Sequence, residues 1–450
     1  MKRHLSCLSR VSLAPVLLVL SACQHRSPSL QPPLSEADMQ FLEDMTRAVL
    51  AESLVAPGAF VGTIGPNSSG AALIRPGGRD DYPAFWVRDY AMSLDSGLVT
   101  PDVQRHHLFL TAAHQVDEEI ALPTGSRLPA GSIPDHISFG GVPIFFPGIL
   151  EDYANQGGPQ WGLLPSLDDH FYFVHMAACY ADASGGTGFL QESVNGKTLL
   201  QRLEAAYSMP PSLENGIVSV TDEDRGVNFG FFDTTIHTGA LFFCSLLKYQ
   251  AALELEELVR AAGNKDRARY YAGQAKSIRS ALPGVFQEPG GFLRASTGLS
   301  AQTDVWGTAF AVYIHALPEM TEQRACLALA DALRRRTIQW EGAIRHVPTD
   351  QDFNETTAWE KSYVPKDTYQ NGAYWDTPVG WVCYAVAQVD ADLAKTLAAE
   401  YIAQLRSGDY RQGPDFGAPW ECRHGNGHRQ NPVYLASVSV PLAAFRRINQ

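Results

Sequence analysis

Charge is scarce in this 450-residue sequence, at 18% of residues, and what there is leans acidic: Lys+Arg 35 against Asp+Glu 48, a formal net charge of −13. Such a chain repels nucleic acid and anionic lipid, so nucleic-acid partners are excluded. Cysteine is also sparse. The seven Cys show no paired spacing, so neither a disulfide framework nor a Cys-based zinc site is encoded. His424 and His428 are four apart, but Gly425-Asn426-Gly427 between them argues against one helix presenting both, and no metal is expected. No glycine-rich phosphate loop follows a strand, so no nucleotide cofactor is expected. Beyond the first twenty residues there is no apolar run long enough to span a bilayer. Hydrophobic residues are plentiful at 45%, enough for a sizeable core.

The N-terminus reads as an address. Lys2 and Arg3 lead into an apolar stretch from Val11 to Leu20, too short for a full span, which ends in Leu20-Ser21-Ala22-Cys23. This resembles the bacterial lipoprotein signal: residues 1–22 would be removed and Cys23 lipidated. An ordinary secretory signal cut after Ala22 is the alternative. Gln24 after the cysteine favours the outer membrane in the sorting pattern of that family. Residues 23–34, rich in Pro and Ser, read as a tether, and the membrane is expected to be touched only through the lipid. Of the remaining cysteines, Cys179, Cys244 and Cys383 lie in apolar helical stretches and read as buried small hydrophobes.

From Ser35 onward the pattern is helical. About twelve helices are expected, near 35–54, 89–98, 102–120, 168–183, 196–207, 233–262, 266–282, 304–316, 320–337, 376–389, 391–406 and 434–447, with only short strand-like runs such as Gly216–Val220 and Ala343–Val347. Roughly every other helix follows a stretch dense in aromatics and acids: Phe85–Tyr90, Leu167–Tyr172, Phe229–Asp233, Thr303–Gly307, Tyr374–Pro378 and Asn431–Tyr434, the last without an acid. That spacing suits six helical hairpins closed into a ring, with the inner helices opening on a shared mouth. Asp before a helix is also a common N-cap, which serves equally well for Asp304 and Asp376. Capping does not explain the aromatics. Aromatic faces beside carboxylates suit sugar rings, whose C–H faces stack and whose hydroxyls donate.

On these residues the chain resembles the six-hairpin glycosidases of glucoamylase type. Phe85-Trp86-Val87-Arg88-Asp89 is similar to that family's W-x-R-D stretch, which binds the sugar. Thr221-Asp222-Glu223-Asp224-Arg225, followed by Phe231-Phe232, is similar to its general-acid stretch, and Pro419-Trp420-Glu421 before the last helix to the placement of its base. Asn371-Gly372-Ala373-Tyr374-Trp375 is similar to an element found near sugar sites. The run Asp-Glu-Asp, without Trp, departs from the glucoamylase Trp-Glu-Glu. The resemblance implies an all-α (α/α)6 toroid of six helical hairpins spanning residues 35–450 as a single domain, active on a neutral glycan as a monomer.

Glycoside cleavage needs one protonated and one ionised carboxyl; in the inverting geometry they stand about 6.5–9.5 Å apart, leaving room for a water. The resemblance assigns the base to Glu421 and the acid to Asp224, with Glu223 as substitute. Trp86, Arg88, Asp89, Asp135, Asp169, Asn371, Trp375 and Trp420 are the expected substrate-binding residues. Asp135, after Pro134, is equally explained as a turn former. Two rival readings share the toroid. An epimerase or lyase would use bases such as His170, His237, His424 or His428, and a glycan-binding lipoprotein would have kept the fold without catalysis.

Overall fold

A computed structural model describes residues 30–61, 64–77, 79, 82–148 and 151–449. The expected signal segment, Cys23 and most of the expected tether therefore lie outside the described residues. Twelve α-helices occur among the described residues: α1 (Glu36–Ser53), α2 (Val87–Leu94), α3 (Pro101–Ala113), α4 (Asp169–Ser184), α5 (Leu199–Ser208), α6 (Phe242–Ala261), α7 (Lys265–Phe286), α8 (Val305–Tyr313), α9 (Glu319–Arg334), α10 (Val379–Ala387), α11 (Ala391–Ser407) and α12 (Ala436–Ile448).

Side-chain capping fixes several starts. The Ser35 hydroxyl accepts from Asp38 N at 3.1 Å, a reciprocal Thr198/Gln201 capping box opens α5, and Asp304 accepts from Gly307 N at 2.8 Å at the start of α8. Gly185, at φ 72°, closes α4 in the left-handed conformation. The even-numbered helices pack in one closed circuit, α2 on α4, α4 on α6, and so on to α12 on α2, while the odd-numbered helices lie outside them. Helices such as α8 and α10 are buried along their whole length, as an inner ring requires, whereas α7 and α11 bury one face only. The architecture is an (α/α)6 toroid.

One expected helix begins late. In place of a helix from residue 233, Gly230–Phe232 forms a single 3-10 turn, and Ser219–Val220 pairs with Gly239–Ala240 before α6 starts at Phe242. Gly239, at φ 75°, allows the bend, and a Cβ there would meet the Thr297 hydroxyl. Short antiparallel sheets also occur, where the sequence predicts only isolated strand-like runs such as Ala343–Val347. Strands β1 (Ala84–Trp86), β2 (His136–Ser138) and β3 (Pro143–Ile144) form one three-stranded antiparallel unit. Strands β4 (Gln339–Trp340), β5 (Ala343–Arg345), β6 (Tyr374–Trp375), β7 (Trp420–Arg423) and β8 (Arg429–Pro432) form a five-stranded antiparallel one in that order. Both sheets precede inner helices and so deliver side chains to the same end of the ring.

Candidate active site

At that end a cavity is lined by Tyr82, Trp86, Arg88, Asp89, Pro147, Gly148, Gly230, Phe231, Asp233, Tyr369, Glu421 and Tyr434. Each comes from a segment leading into an inner helix or from a loop over the ring. Trp86 ends β1, where Trp86 pairs with His136 across the ladder and the two rings stack at 4.4 Å. Its other neighbour is Tyr82, edge-on at 5.0 Å. The result is an aromatic wall held from both sides.

Arg88 is the floor. Its Nε donates to Asp168 at 2.8 Å, and its Nη2 to Asp135 at 2.5 Å and Asp169 at 2.8 Å, all with buried side chains. One guanidinium cannot neutralise three carboxylates. Arg88 and His136 hold Asp135 well below the usual carboxylate range despite its burial. Burial, with Asp168 and Asp135 as like-charged neighbours, pushes Asp169 well above it, and Asp169 Oδ1 has no hydrogen-bond partner. Burial raises Asp168 as well, so the cluster as a whole resists full ionisation.

Glu421, on β7 and buried, is surrounded by donors. Tyr82 Oη donates to its Oε2 at 2.9 Å, Tyr369 Oη to its Oε1 at 3.4 Å, and the Asn431 amide also donates to Oε2. Asn431 stands opposite on β8, with its amide 2.7 Å from Tyr82 Oη. Burial nonetheless raises the Glu421 carboxyl to about 8, against the pull of these donors. Asp233 sits in the loop after the 3-10 turn. Burial raises it to about 7, and its Oδ1 has no partner. Asp89, in the first turn of α2, is raised by burial to about 6 and accepts from the Tyr434 hydroxyl. Three carboxyls with raised pKa values therefore face one cavity, the arrangement in which acid and base roles separate.

The expected site residues divide sharply by position. Trp86, Arg88, Asp89 and Glu421 line the cavity together. Asp135 and Asp169 lie behind its wall on Arg88. Asp224 does not reach the cavity: its side chain is 43% exposed and paired with Arg127 at 2.8 Å, and Glu223 beside it is exposed. The late start of α6 is the physical reason, because the acid that enters the mouth is nine residues further on, at Asp233. Asn371 is spent on its own loop, its Oδ1 accepting from Ala358 N at 2.9 Å and its Nδ2 donating to Val364 O at 2.8 Å. Trp375 is wholly buried beneath Phe231 and Tyr369. Trp420 packs on Gly417, with the Arg429 guanidinium 5.7 Å above its ring, away from the cavity lining.

The histidines of the rival readings are elsewhere too. Ile133 N donates to His170 Nε2, whose Nδ1 faces Leu167 O. His237 is packed between Phe232 and Trp359, where burial lowers it to about 3. His428 Nε2 accepts from Tyr369 N at 3.2 Å, and no histidine is among the described residues that line the cavity. Tyr82, Asp233, Tyr369, Asn431 and Tyr434 were not picked out as site residues, although Asp233, Asn431 and Tyr434 belong to the aromatic-rich stretches that marked the mouth. Among the cysteines, Cys244 and Cys383 are buried, but Cys179 is only half-buried and lies against His175.

No protein-family model and no curated protein matches the sequence. Solved structures do. Glucoamylase from Saccharomycopsis fibuligera superimposes with a TM-score of 0.54 at 13% identity, over 94% of this chain and 97% of that one. The GH63 mannosylglycerate hydrolase from Thermus thermophilus, in complex with glucose, gives 0.53 at 13% identity over 89% and 99%. A rhamnosidase from Klebsiella oxytoca with rhamnose bound gives 0.53 at 13% identity over 93% of this chain and 65% of that one. At this identity the likeness shows the fold.

Proposed function

We propose that this (α/α)6 toroid is a glycoside hydrolase acting on a neutral glycan, with Asp233 as general acid and Glu421 as general base. One observation carries the reading: two buried carboxyls, Glu421 ringed by donors and Asp233 with one oxygen that has none, share a cavity walled by Trp86, Tyr82 and Phe231. Around Glu421 the Asn431 amide can only donate, and two hydroxyls point at its oxygens, so these neighbours favour the ionised form; burial still leaves Glu421 (about 8) above Asp233 (about 7), so the reactive pair is the less populated of the two singly protonated forms. Asp233 has a buried oxygen without a donor, which suits a carboxyl that carries a proton. An inverting reaction follows from these roles: Glu421 takes a proton from water as Asp233 protonates the leaving oxygen. Arg88 commits its Nε and Nη2 to three carboxylates, leaving Asp89 and the aromatic wall to hold the sugar.

The solved structures that share this fold are glycosidases by name, which supports the reaction class. The absence of histidine from the cavity lining disfavours a histidine-based epimerase. A glycan panel followed by NMR of the fresh product tests the proposal. Glu421→Gln and Asp233→Asn should each lower kcat at least 10²-fold with the fold intact, and Asp224→Asn should leave it within about twofold. Near-normal turnover in Asp233→Asn, or loss in Asp224→Asn, would return the acid role to Asp224.

We further propose that the protein is anchored at Cys23 in the outer membrane, which supports action on glycans outside the cytoplasm. Labelling with a fatty-acid probe should tag the wild-type protein and leave Cys23→Ala unlabelled.

A further inference from the structure

Asp95, His175 and Cys179 meet at the end of the toroid opposite the cavity. His175 and Cys179 are four residues apart on α4, and so lie on one face of the helix. Asp95 is the C-cap of α2. Ten residues of helix, about 15 Å, separate Asp169 beside the cavity floor from Cys179. His175 Nε2 stands 3.3 Å from Asp95 Oδ1 and 3.5 Å from Cys179 Sγ, and the three donor atoms lie within 4.8 Å of one another.

We propose that this cluster is a zinc site that ties α2, α4 and α6 together. Tetrahedral zinc, with bonds of about 2.0 Å to carboxylate oxygen, 2.0–2.1 Å to imidazole nitrogen and 2.3 Å to thiolate, needs edges of about 3.3 Å (N···O) and 3.6 Å (N···S). The two edges at His175 have those lengths before any ion is placed. The other ring nitrogen is already committed: His175 Nδ1 is 2.6 Å from Glu254 Oε1 on α6, and Gln250 Nε2 bonds the same carboxylate oxygen at 2.9 Å. That contact fixes the tautomer that leaves Nε2 free as a ligand, the carboxylate–histidine support that metal sites use. Tyr90, a turn before Asp95 on α2, has a buried hydroxyl without a partner near the Cys179 sulfur. Imidazole plus thiolate selects a borderline-soft ion such as zinc over calcium or magnesium. Asp95 is exposed, which gives the ion a way in and leaves the fourth position to water. Zinc with one thiolate and one carboxylate is neutral overall, so the site adds no charge to the core. The sequence reading looked for metal at His424 and His428; the pair at this spacing on a regular helix is His175 and Cys179.

The test uses the whole protein, stripped with a chelator and titrated with Co²⁺. One equivalent should bind and produce a thiolate-to-cobalt charge-transfer band, which Zn²⁺ then removes. Cys179→Ser should abolish the band. Asp95→Asn, at an exposed helix end where folding is undisturbed, should weaken binding at least tenfold, and Glu254→Gln about 10–100-fold. Circular dichroism checks that each variant is folded. Absence of a band in the wild type, a band that survives Cys179→Ser, or unchanged affinity in Asp95→Asn would overturn the proposal.

Discussion

Gly230 lies directly against the guanidinium of Arg88: a Cβ added at Gly230 would stand 1.8 Å from Arg88 Nε. The guanidinium cannot retreat, because Asp135, Asp168 and Asp169 hold it, and Gly230 N itself donates to Asp168 at 2.8 Å. The backbone that carries Phe231 and Asp233 into the cavity is thus seated on the charge cluster beneath it.

Gly230→Ala is expected to displace either the 3-10 turn or Arg88. Kinetics should show a loss of kcat/KM of about 10²-fold, since ångström-scale misplacement of a catalytic group costs about that much. Thermal unfolding should register a loss of about 1–3 kcal/mol from overpacking.

Removing Arg88 instead leaves three buried carboxyls without their cation. Arg88→Met should destabilise the fold by about 3–5 kcal/mol at neutral pH. Asp135 is the group held low by Arg88, so the deficit should shrink as the pH falls far enough to protonate it. Denaturant melts of both proteins at pH 7 and pH 4 measure the difference.

The cavity acids give stability the opposite slope. Asp89, Asp233 and Glu421 have folded pKa values of about 6, 7 and 8, all above those of an unfolded chain. Their contribution is fully present below about pH 4 and is lost as the pH rises through those values. Glu421→Gln removes the group with the highest of the three. It should raise the melting temperature relative to wild type at pH 8.5, by about 1–3 kcal/mol of stability, and lose that advantage near pH 5. Differential scanning calorimetry at the two pH values decides it.

The same pair of carboxyls should shape catalysis. A bell-shaped kcat/KM profile is expected, with limbs near pH 7 and 8 that belong to the Asp233–Glu421 pair jointly. In Glu421→Gln, whatever activity remains should keep one limb only.

Much of this was legible in the sequence because helix periodicity and helix starts are local signals. Twelve helices in alternation, the stretch holding Trp86, Arg88 and Asp89, and Glu421 before the last helix all follow from residues close together in the chain. The proposed general acid was harder. Asp222, Glu223 and Asp224 make a conspicuous acidic run, whereas Asp233 is a single acid in an apolar stretch that reads as the start of α6. Only the pairing of Val220 with Gly239 and the seat of Gly230 on Arg88 keep that stretch out of the helix. Of the five-stranded sheet only the run Ala343–Val347 reads as strand-like, for a related reason: its strands are two to four residues long and pair segments from 339 to 432. Asn371 and Trp375 were found by motif, yet their work is to anchor the loop that aims Tyr369 at Glu421.

The inner ring closes through α12, which packs on both α1 and α2. A ribosome makes that helix after the other eleven, so the nascent chain holds an open arc until residues 436–448 emerge. Tyr434, which bonds Asp89, arrives in the same late segment. Completing the mouth therefore joins Asp89 to a residue 345 positions away in sequence, a contact of the long-range kind whose loop-closure cost slows folding.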